Sequence, residues 1–226
     1  MSKTVSKSAL TAGVVLAMAF TFSCSSPDDG EGGDGKGGSS SSLGGGDLPS
    51  SSSVGYTGSY GSVTYEGQTY KTVIIGEQTW LAENLNYEAE GSRCYDNDPA
   101  NCAKYGRLYN WETAMMVCPS GWHLPTRAEW DALLTYAGGS TSGTKLKSTS
   151  GWNLNGTDQY GFSALPGGNS LSYGSSFNGI GYEGFWWTAS EYGSGGQAYF
   201  QKMRTGFVED NHLHKSEWFS VRCLQD

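Results

Sequence analysis

The sequence predicts an α+β domain over residues 56–226, preceded by a segment that does not fold. Strand-like runs lie at both ends of this region, and helical spacing occurs only in its middle. Long stretches rich in Gly, Ser and Asn connect these parts, and four cysteines fall inside the region. Because strands and helices are segregated along the chain instead of alternating, the helices are expected to gather on one side of an antiparallel sheet.

The first predicted element is a β-hairpin. β-branched and aromatic residues at 64–65 and 70–75 flank a turn that contains Gly67. The next segment, residues 78–85, is predicted to be irregular or briefly extended. Further strands are expected near the C-terminus, at residues 185–189, 197–203, 206–209 and 218–224.

Two helices are predicted between these strands. Residues 110–117 carry apolar side chains at helical spacing, from Trp111 to Cys118, and a proline ends the pattern. The second helix begins at Thr126, where Thr126 and Glu129 form a capping box. A pair of glycines after Ala137 ends it. Its apolar face consists of Trp130, Leu133, Leu134 and Ala137.

Residues 1–23 have the features of a secretory signal peptide. An apolar run at residues 9–22 follows two lysines and precedes a small residue. The run is shorter than the roughly 20 apolar residues that span a bilayer. Because Cys24 follows directly, the segment resembles a bacterial lipoprotein signal, in which Cys24 carries the lipid that anchors the protein to the membrane. Thr21 and Phe22 depart from the usual pattern, which leaves cleavage by an ordinary signal peptidase as the alternative.

Residues 24–55 are predicted to form a disordered tether. Their composition is almost entirely Ser, Gly, Asp and Pro, which cannot bury enough apolar surface to offset the entropy of ordering. A coil of this length spans about 30 Å. The tether contains an acidic cluster at Asp28, Asp29, Glu31 and Asp34. The cluster resembles surface-export signals of lipoproteins in some Gram-negative groups, and a merely solvated linker is an equal alternative.

Charge and motif content exclude several classes of function. Cleavage of the signal removes two of the 14 basic residues and none of the 22 acidic ones, so the net charge becomes −10. A nucleic-acid partner requires the opposite sign of charge. Metalloprotease, esterase and phosphate-loop motifs are absent from the sequence, and Glu209 with Asp210 lacks the spacing that identifies a glycosidase. A non-enzymatic protein without a cofactor is therefore predicted.

The sequence leaves metal binding open. Asp210, His212 and His214 alternate, so in an extended segment they would share a face and could ligate a transition metal. A solvated polar loop is the alternative. His123, which precedes a helix, is expected to be a hydrogen-bonded structural histidine. Unspecific candidates for calcium ligands are Asp96, Asp98 and Asp158.

Aromatic residues in and beside the long loops are the candidate ligand contacts. They are Trp152, Tyr173, Tyr182, Trp186, Trp187, Tyr192 and Tyr199. With Asn, Asp and Gln nearby, their rings suit stacking on sugars or burial in a protein interface. The expected exposed contacts, on a loop face between Gly138 and Tyr199, are Trp152, Trp186 and Tyr192. Core positions are expected for Trp130, Trp187 and Trp218, and the alternative is that most of the rings fill the core.

Six separate motifs carry a family resemblance. The longest is Cys118-Pro-Ser-Gly-Trp-His-Leu-Pro-Thr-Arg-Ala-Glu-Trp130, preceded by Gly106-Arg-Leu-Tyr-Asn-Trp111. The others are Gln78-Thr79-Trp80 with Glu83-Asn84-Leu85, Gly161-Phe-Ser-Ala-Leu-Pro-Gly-Gly168, Trp186-Trp187-Thr188-Ala189-Ser190-Glu191 and Phe219-Ser-Val-Arg-Cys223. From Ser62 to Asp226, the chain is similar to the Fibrobacter succinogenes major paralogous domain.

This resemblance implies a C-type-lectin-like fold of the formylglycine-generating-enzyme branch, with two helices, a small antiparallel sheet and long loops. In that fold the end of the first helix lies beside the last strand, which pairs with the first, so the resemblance implies a disulfide between Cys118 and Cys223. Cys94 and Cys102 bracket a short Asp/Asn/Pro loop and make the local pair. The enzyme branch uses a reactive cysteine pair and copper, and this pairing leaves no thiol for that chemistry. The tripeptides with which calcium-dependent lectins bind sugar are also missing.

The preferred hypothesis is a lipid-anchored protein of the cell envelope, located in the outer membrane, with exposure at the cell surface left open. Its non-catalytic domain would bind a polysaccharide or a surface protein. A structural envelope protein without a small ligand is the second hypothesis, and a divergent oxidase of the formylglycine-generating type is the third. No sequence feature identifies the ligand.

Overall fold

Two β-sheets, both completed by the C-terminal segment, organise the fold. The computed structural model describes residues 55–171 and 175–226, which fall within one unit, Leu48–Asp226. The strands are β1 (Gly61–Tyr65), β2 (Gln68–Ile75), β3 (Gln78–Leu81), β4 (Ser92–Arg93), β5 (Leu108–Tyr109), β6 (Trp122–His123), β7 (Asn169–Leu171), β8 (Ser176–Asn178), β9 (Gly184–Tyr192), β10 (Gln197–Met203), β11 (Val208–His214), β12 (Phe219–Ser220) and β13 (Leu224–Gln225). The helices are α1 (Pro99–Tyr105), α2 (Trp111–Ala114), α3 (Arg127–Ala137) and α4 (Gly143–Leu146). The predicted signal peptide, Cys24 and all of the predicted tether except Gly55 lie outside the described residues.

The predicted hairpin is present as β1 and β2, which pair in antiparallel register. Glu66 and Gly67 turn the chain with φ angles of 47° and 77°. Two successive positive φ angles match the twist of the flanking strands, and glycine adopts such an angle at little cost. β2 also pairs with β3. The segment predicted to be irregular or briefly extended therefore begins with a short strand, β3.

The first sheet has five strands in the order β1-β2-β3-β13-β6. Leu224 of β13 pairs with Trp80 of β3 on one side and with His123 of β6 on the other. The expectation that the last strand pairs with the first is wrong, because β2 and β3 stand between them. The disulfide Cys118–Cys223 attaches the residue before β13 to the segment after α2, as the resemblance implied.

The second sheet has six strands in the order β11-β10-β9-β12-β5-β4. Its pairs are antiparallel except for β9 with β12. β9 and β10 match the strands predicted there, whereas β11 begins later than residues 206–209 and runs to His214. The sheet structure is thus larger than the small antiparallel sheet expected, and a separate hairpin of β7 and β8 adds to it.

The second predicted helix is α3, and its capping box is confirmed. Thr126 Oγ1 accepts from the Glu129 N–H at 3.2 Å, and Glu129 Oε2 accepts from the Thr126 N–H at 2.7 Å. Gly138, with a φ of 112°, ends the helix. The first predicted helix is shorter than residues 110–117: α2 begins after the Asn110 cap and ends at Ala114. None of the described helices is both long and apolar enough to cross a membrane.

Helices α1 and α4 were not predicted, so the described residues hold four helices instead of two. α1 begins inside the loop closed by the Cys94–Cys102 disulfide, where the sequence suggested a loop, and continues past Cys102 to Tyr105. Asp98 caps it by accepting from the Ala100 N–H at 2.9 Å, and Pro99 occupies the first helical position. Both residue types are favoured at these positions. The expected pairing of Cys94 with Cys102 is confirmed.

Buried apolar side chains form two clusters. The first includes Tyr70, Leu85, Tyr109, Trp187, Phe200 and Phe219. The second includes Trp80, Trp130, Leu133, Phe162, Trp186 and Met203. Trp130 and Trp187 are fully buried, as expected. Trp218 is only half-buried, and the Arg93 guanidinium lies 3.7 Å from its ring centroid.

Asn84 and Arg222 form a buried polar centre. Arg222 is fully buried, and its Nη2 donates to Asn84 Oδ1 at 2.9 Å while its Nη1 donates to the Leu81 carbonyl at 3.1 Å. Asn84 Nδ2 donates to the Tyr105 carbonyl at 2.8 Å. Burial lowers the pKa of Arg222 to about 9. The uncharged amide of Asn84 therefore holds the guanidinium in place by accepting its hydrogen bonds.

Candidate functional site

Trp186 is a core residue, so its expected exposure is wrong. Its indole N–H donates to Asn84 Oδ1 at 2.9 Å, and its ring centroid lies 6.2 Å from that of Trp130. β9 is an inner strand of the six-stranded sheet, and its first five residues are all buried. An inner strand covered on both faces loses the alternation of buried and exposed residues. Trp186 therefore cannot contact a ligand.

Trp152 is also buried, with 5 % of its surface exposed, and its expected exposure is wrong as well. Its ring packs into the second apolar cluster. The indole N–H donates to the Ala164 carbonyl at 2.8 Å, and Lys147 Nζ lies 4.7 Å from the ring centroid. Trp152 therefore packs beneath its loop as a core residue and does not face a ligand.

Lys147 joins two loops that are far apart in sequence. It is almost completely buried, and its Nζ donates to the carbonyl oxygens of Leu154 and Arg204. Burial lowers the pKa of Lys147. Two carbonyl dipoles and the face of Trp152 stabilise the ammonium group where a carboxylate would usually do so. Lys147 therefore lies between the two backbone segments, bound closely to Leu154 and, at 3.5 Å, more weakly to Arg204.

The surface above these contacts contains a depression of about 250 Å³, which we call the loop cavity. It is lined by Asn153, Leu154, Tyr182, Arg204 and Thr205. Leu154 and Tyr182 are well exposed, Tyr182 by 59 %. The Asn153 N–H donates to the Gly181 carbonyl at 2.8 Å, and Lys147 connects the other two lining segments. Hydrogen bonds thus hold all three walls together without a ligand.

Arg204 supplies the charge of the loop cavity. Its side chain is 67 % exposed, and its Nε lies 3.8 Å from Glu183 Oε1. Lys202 Nζ is closer to the same oxygen, at 3.0 Å. Over residues 55–171 and 175–226, no hydrogen bond or ion pair is found for the terminal guanidinium nitrogens of Arg204. Glu183 is therefore neutralised mainly by Lys202, and Arg204 keeps donors for a ligand.

The chain was compared with known protein families, curated proteins and solved structures. The model of the Fibrobacter succinogenes major domain matches residues 73–225, about two thirds of the chain. The chain belongs to this family. The matched region contains both disulfides, the buried Asn84–Arg222 pair and the loop cavity. No curated protein and no solved structure matches the chain.

Tyr192 is the expected ligand contact that does reach the surface of this Fibrobacter succinogenes major domain, with 39 % exposure. Its ring stacks on His212, with centroids 3.5 Å apart and an angle of 4° between the planes. Tyr192 pairs with Gln197 at the start of β10, whereas Arg204 follows the end of β10. A strand of seven residues is about 20 Å long. Tyr192 therefore does not belong to the loop cavity.

The transition-metal hypothesis finds no support in the arrangement of its residues. Asp210, His212 and His214 do lie in one extended strand, β11. The carboxylate of Asp210 is already engaged, because its Oδ2 lies 2.7 Å from Arg127 Nε, and His212 is stacked on Tyr192. Within the part of the chain that the structure describes, no three His, Cys, Asp or Glu side chains form a metal-binding group.

Other titratable side chains stabilise the fold. His123 is a hydrogen-bonded structural residue, as expected: its Nδ1 lies 2.7 Å from Asp226 and its Nε2 lies 3.0 Å from Glu129. Burial disfavours the imidazolium, but these two hydrogen bonds outweigh it and raise the pKa of His123. Asp158, a calcium candidate, accepts instead from the Ser163 N–H at 2.7 Å, and burial raises the pKa of its carboxyl group.

A larger cavity, of about 460 Å³, lies between the β2–β3 turn and α3 and is lined by Ile75, Gly76, Glu77, Gln78, Ala132 and Tyr136. Its polar side chains are those of Glu77, Gln78 and Tyr136, and the Gln78 amide is already engaged, because Nε2 donates to the Glu129 carbonyl and Oε1 accepts from Trp80 Nε1. Ligand sites need a few convergent polar groups to orient the ligand. The loop cavity meets this requirement better and is the candidate site.

Sequence reasoning identified Tyr182 as a loop aromatic but missed the four other residues that line the loop cavity, Asn153, Leu154, Arg204 and Thr205. Arg204 and Thr205 lie in the turn between β10 and β11, and polar residues in a turn carry no local mark of function. Lys147 lies in a polar stretch with a second lysine, Lys145, close by, and its partners Leu154 and Arg204 are not its sequence neighbours, so no local pattern marked it.

Proposed function

We propose that this Fibrobacter succinogenes major domain is a non-catalytic saccharide-binding module carried on the cell envelope. The loop cavity supports the proposal, because it places an exposed ring among hydrogen-bonding groups on a surface held by fixed backbone contacts. A binding site that is formed before the ligand arrives loses less conformational entropy on binding.

The side chains of the loop cavity match the chemistry of a sugar. Tyr182 offers an apolar ring face for the C–H face of a pyranose. Asn153, Thr205 and Arg204 carry amide, hydroxyl and guanidinium groups that can bond sugar hydroxyls. The volume, about 250 Å³, is below the roughly 300–1,000 Å³ of drug-sized sites, so the loop cavity accommodates one ring of a longer chain.

The architecture supports the finer assignment to the C-type-lectin-like folds, which place long loops on an α+β scaffold. The two disulfides argue against the oxidase alternative, because Cys94, Cys102, Cys118 and Cys223 then offer no reactive thiol.

In the proposal, lipid on Cys24 anchors the chain in the outer membrane, and the segment that follows Cys24 lets the domain extend away from the membrane surface. Cys24→Ser should move the protein from the membrane fraction to the soluble fraction, and unchanged fractionation with unchanged mass would refute the anchor.

Binding is tested with the full-length chain in detergent on an oligosaccharide array, followed by calorimetric titration of the bound sugars. Tyr182→Ala should weaken binding about tenfold or more, as removal of an aromatic anchor does. Tyr136→Ala is the matched control, because Tyr136 is equally exposed but lines the larger cavity. Both variants should melt at the temperature of the parent.

Two outcomes would contradict the proposal. If no oligosaccharide binds the parent chain, the saccharide function is wrong. If Tyr136→Ala loses binding while Tyr182→Ala retains it, the domain binds sugar at the larger cavity, and the assignment of the site is wrong.

A further inference from the structure

The loop cavity has a charge opposite to that of the whole chain. The sequence has 22 acidic and 14 basic residues, yet the described residues that line the loop cavity include Arg204 and no acidic side chain. A second cation, Lys147, is buried against the backbone of two lining residues, Leu154 and Arg204. Arg204 lies 3.8 Å from the carboxylate of Glu183, which Lys202 binds at the shorter distance of 3.0 Å.

Two positive groups therefore act on the loop cavity, and the Glu183 carboxylate near Arg204 is already paired with Lys202. A buried charge is screened less by solvent than an exposed one, so Lys147 contributes to the potential at the loop cavity although it does not line it. The guanidinium of Arg204 presents a planar fork of donors that fits a carboxylate or a sulfate in bidentate geometry. A neutral sugar would leave this fork without an ionic partner.

We propose that the loop cavity selects an anionic saccharide, in which Arg204 binds the carboxylate or sulfate group and Tyr182 stacks on the ring that carries it. The inference rests on the proposed function and adds the chemical class of the ligand. Asn153 and Thr205 then bind the hydroxyl groups of the same ring. Lys147 acts through the field of its ammonium group and through the backbone that it fixes.

The experiment compares three probes on the full-length chain: an oligogalacturonate, the same oligomer after reduction of its carboxylates to alcohols, and a sulfated galactan oligomer of equal length. At least one anionic probe should bind about tenfold more tightly than the reduced oligomer, the lower end of what a hydrogen bond to a charged group gives. The stronger of the two anionic probes identifies the anion. Raising the salt concentration should weaken the anionic probes and leave the reduced oligomer unchanged.

Variants separate charge recognition from sugar recognition. Arg204→Gln should weaken the preferred anionic probe about tenfold and leave the reduced oligomer unchanged. Arg204→Lys should retain part of the anionic affinity, because it keeps the charge but loses the fork. Tyr182→Ala should weaken all probes that bind. Arg127→Gln, which removes a charge from an exposed arginine outside the loop cavity, is the control and should bind like the parent.

The possible failures are distinguishable. If the reduced oligomer binds as tightly as both anionic probes, or if Arg204→Gln weakens it to the same extent, the loop cavity recognises neutral sugar, and only the anionic inference falls. If no probe and no array sugar binds the parent, both the anionic inference and the proposed function are wrong.

Discussion

Replacement of Asn84 by alanine should destabilise the domain more than a typical buried substitution. Asn84 Oδ1 accepts from Trp186 Nε1 at 2.9 Å and from Arg222 Nη2 at 2.9 Å, and its Nδ2 donates to the Tyr105 carbonyl at 2.8 Å. Asn84→Ala leaves these three buried groups without that partner. Each unsatisfied buried group costs about 1–3 kcal/mol, and neighbouring losses are not additive, so we expect a total of about 3–6 kcal/mol.

Urea unfolding followed by tryptophan fluorescence measures this loss as a lower midpoint at an unchanged slope. A change of about 3–6 kcal/mol is a large share of the 5–15 kcal/mol that stabilises a typical domain. Asn86→Ala is the matched control, because the buried Oδ1 of Asn86 has no partner among the described residues, and it should cost less than about 1 kcal/mol. If both variants unfold at the same urea concentration, Asn84 does not organise the buried centre.

Three further predictions concern other parts of the fold. Thr126→Ala should lower the unfolding free energy by about 0.5–2 kcal/mol in urea titrations, because it removes the cap of α3. The pKa of His123 is raised above 6.5, so its contribution to stability is complete below pH 6.5 and decreases as the pH rises through the raised pKa; His123→Gln should remove this decrease. Replacing both cysteines of Cys118–Cys223 by alanine should cost about 2 kcal/mol more than the same change at Cys94–Cys102, because loops of 105 and 8 residues are opened.

A Thr126→Ser variant keeps the capping hydroxyl and should match the parent, and equal losses in the serine and alanine variants would mean that the hydroxyl does not cap α3. Parallel pH profiles of the parent and His123→Gln would show that the hydrogen bonds of His123 are not linked to folding. Equal losses for the two disulfides would show that closure of the longer loop adds nothing.

Local sequence patterns predicted the elements that local contacts determine. The β1–β2 turn and the capping box of α3 use neighbouring residues, so the sequence alone revealed them. Asp98 and Pro99 also mark the start of α1 in the sequence, but the spacing of Cys94 and Cys102 is equally typical of a disulfide-bounded loop.

The candidate site could not be predicted because its parts meet through distant contacts. Burial of Trp186 depends on Asn84, and burial of Trp152 depends on Lys147 and Ala164. The number of aromatic residues in the loops therefore reflects how the core is packed and does not indicate which rings are exposed. Tyr182 follows Gly181, whose carbonyl accepts from the Asn153 N–H, so this part of the site is also built by a contact between separate loops.

The position of β12 and β13 within the two sheets has a consequence for synthesis and quality control. Residues 219–225 are synthesised after every strand with which they pair, so neither sheet can close before these residues have left the ribosome. Until then β3, β6, β5 and β9 present unpaired edges, which favour association with other chains. A chain cut before Phe219 would keep these edges permanently, and we expect it to be removed by proteases instead of accumulating as a partly working domain.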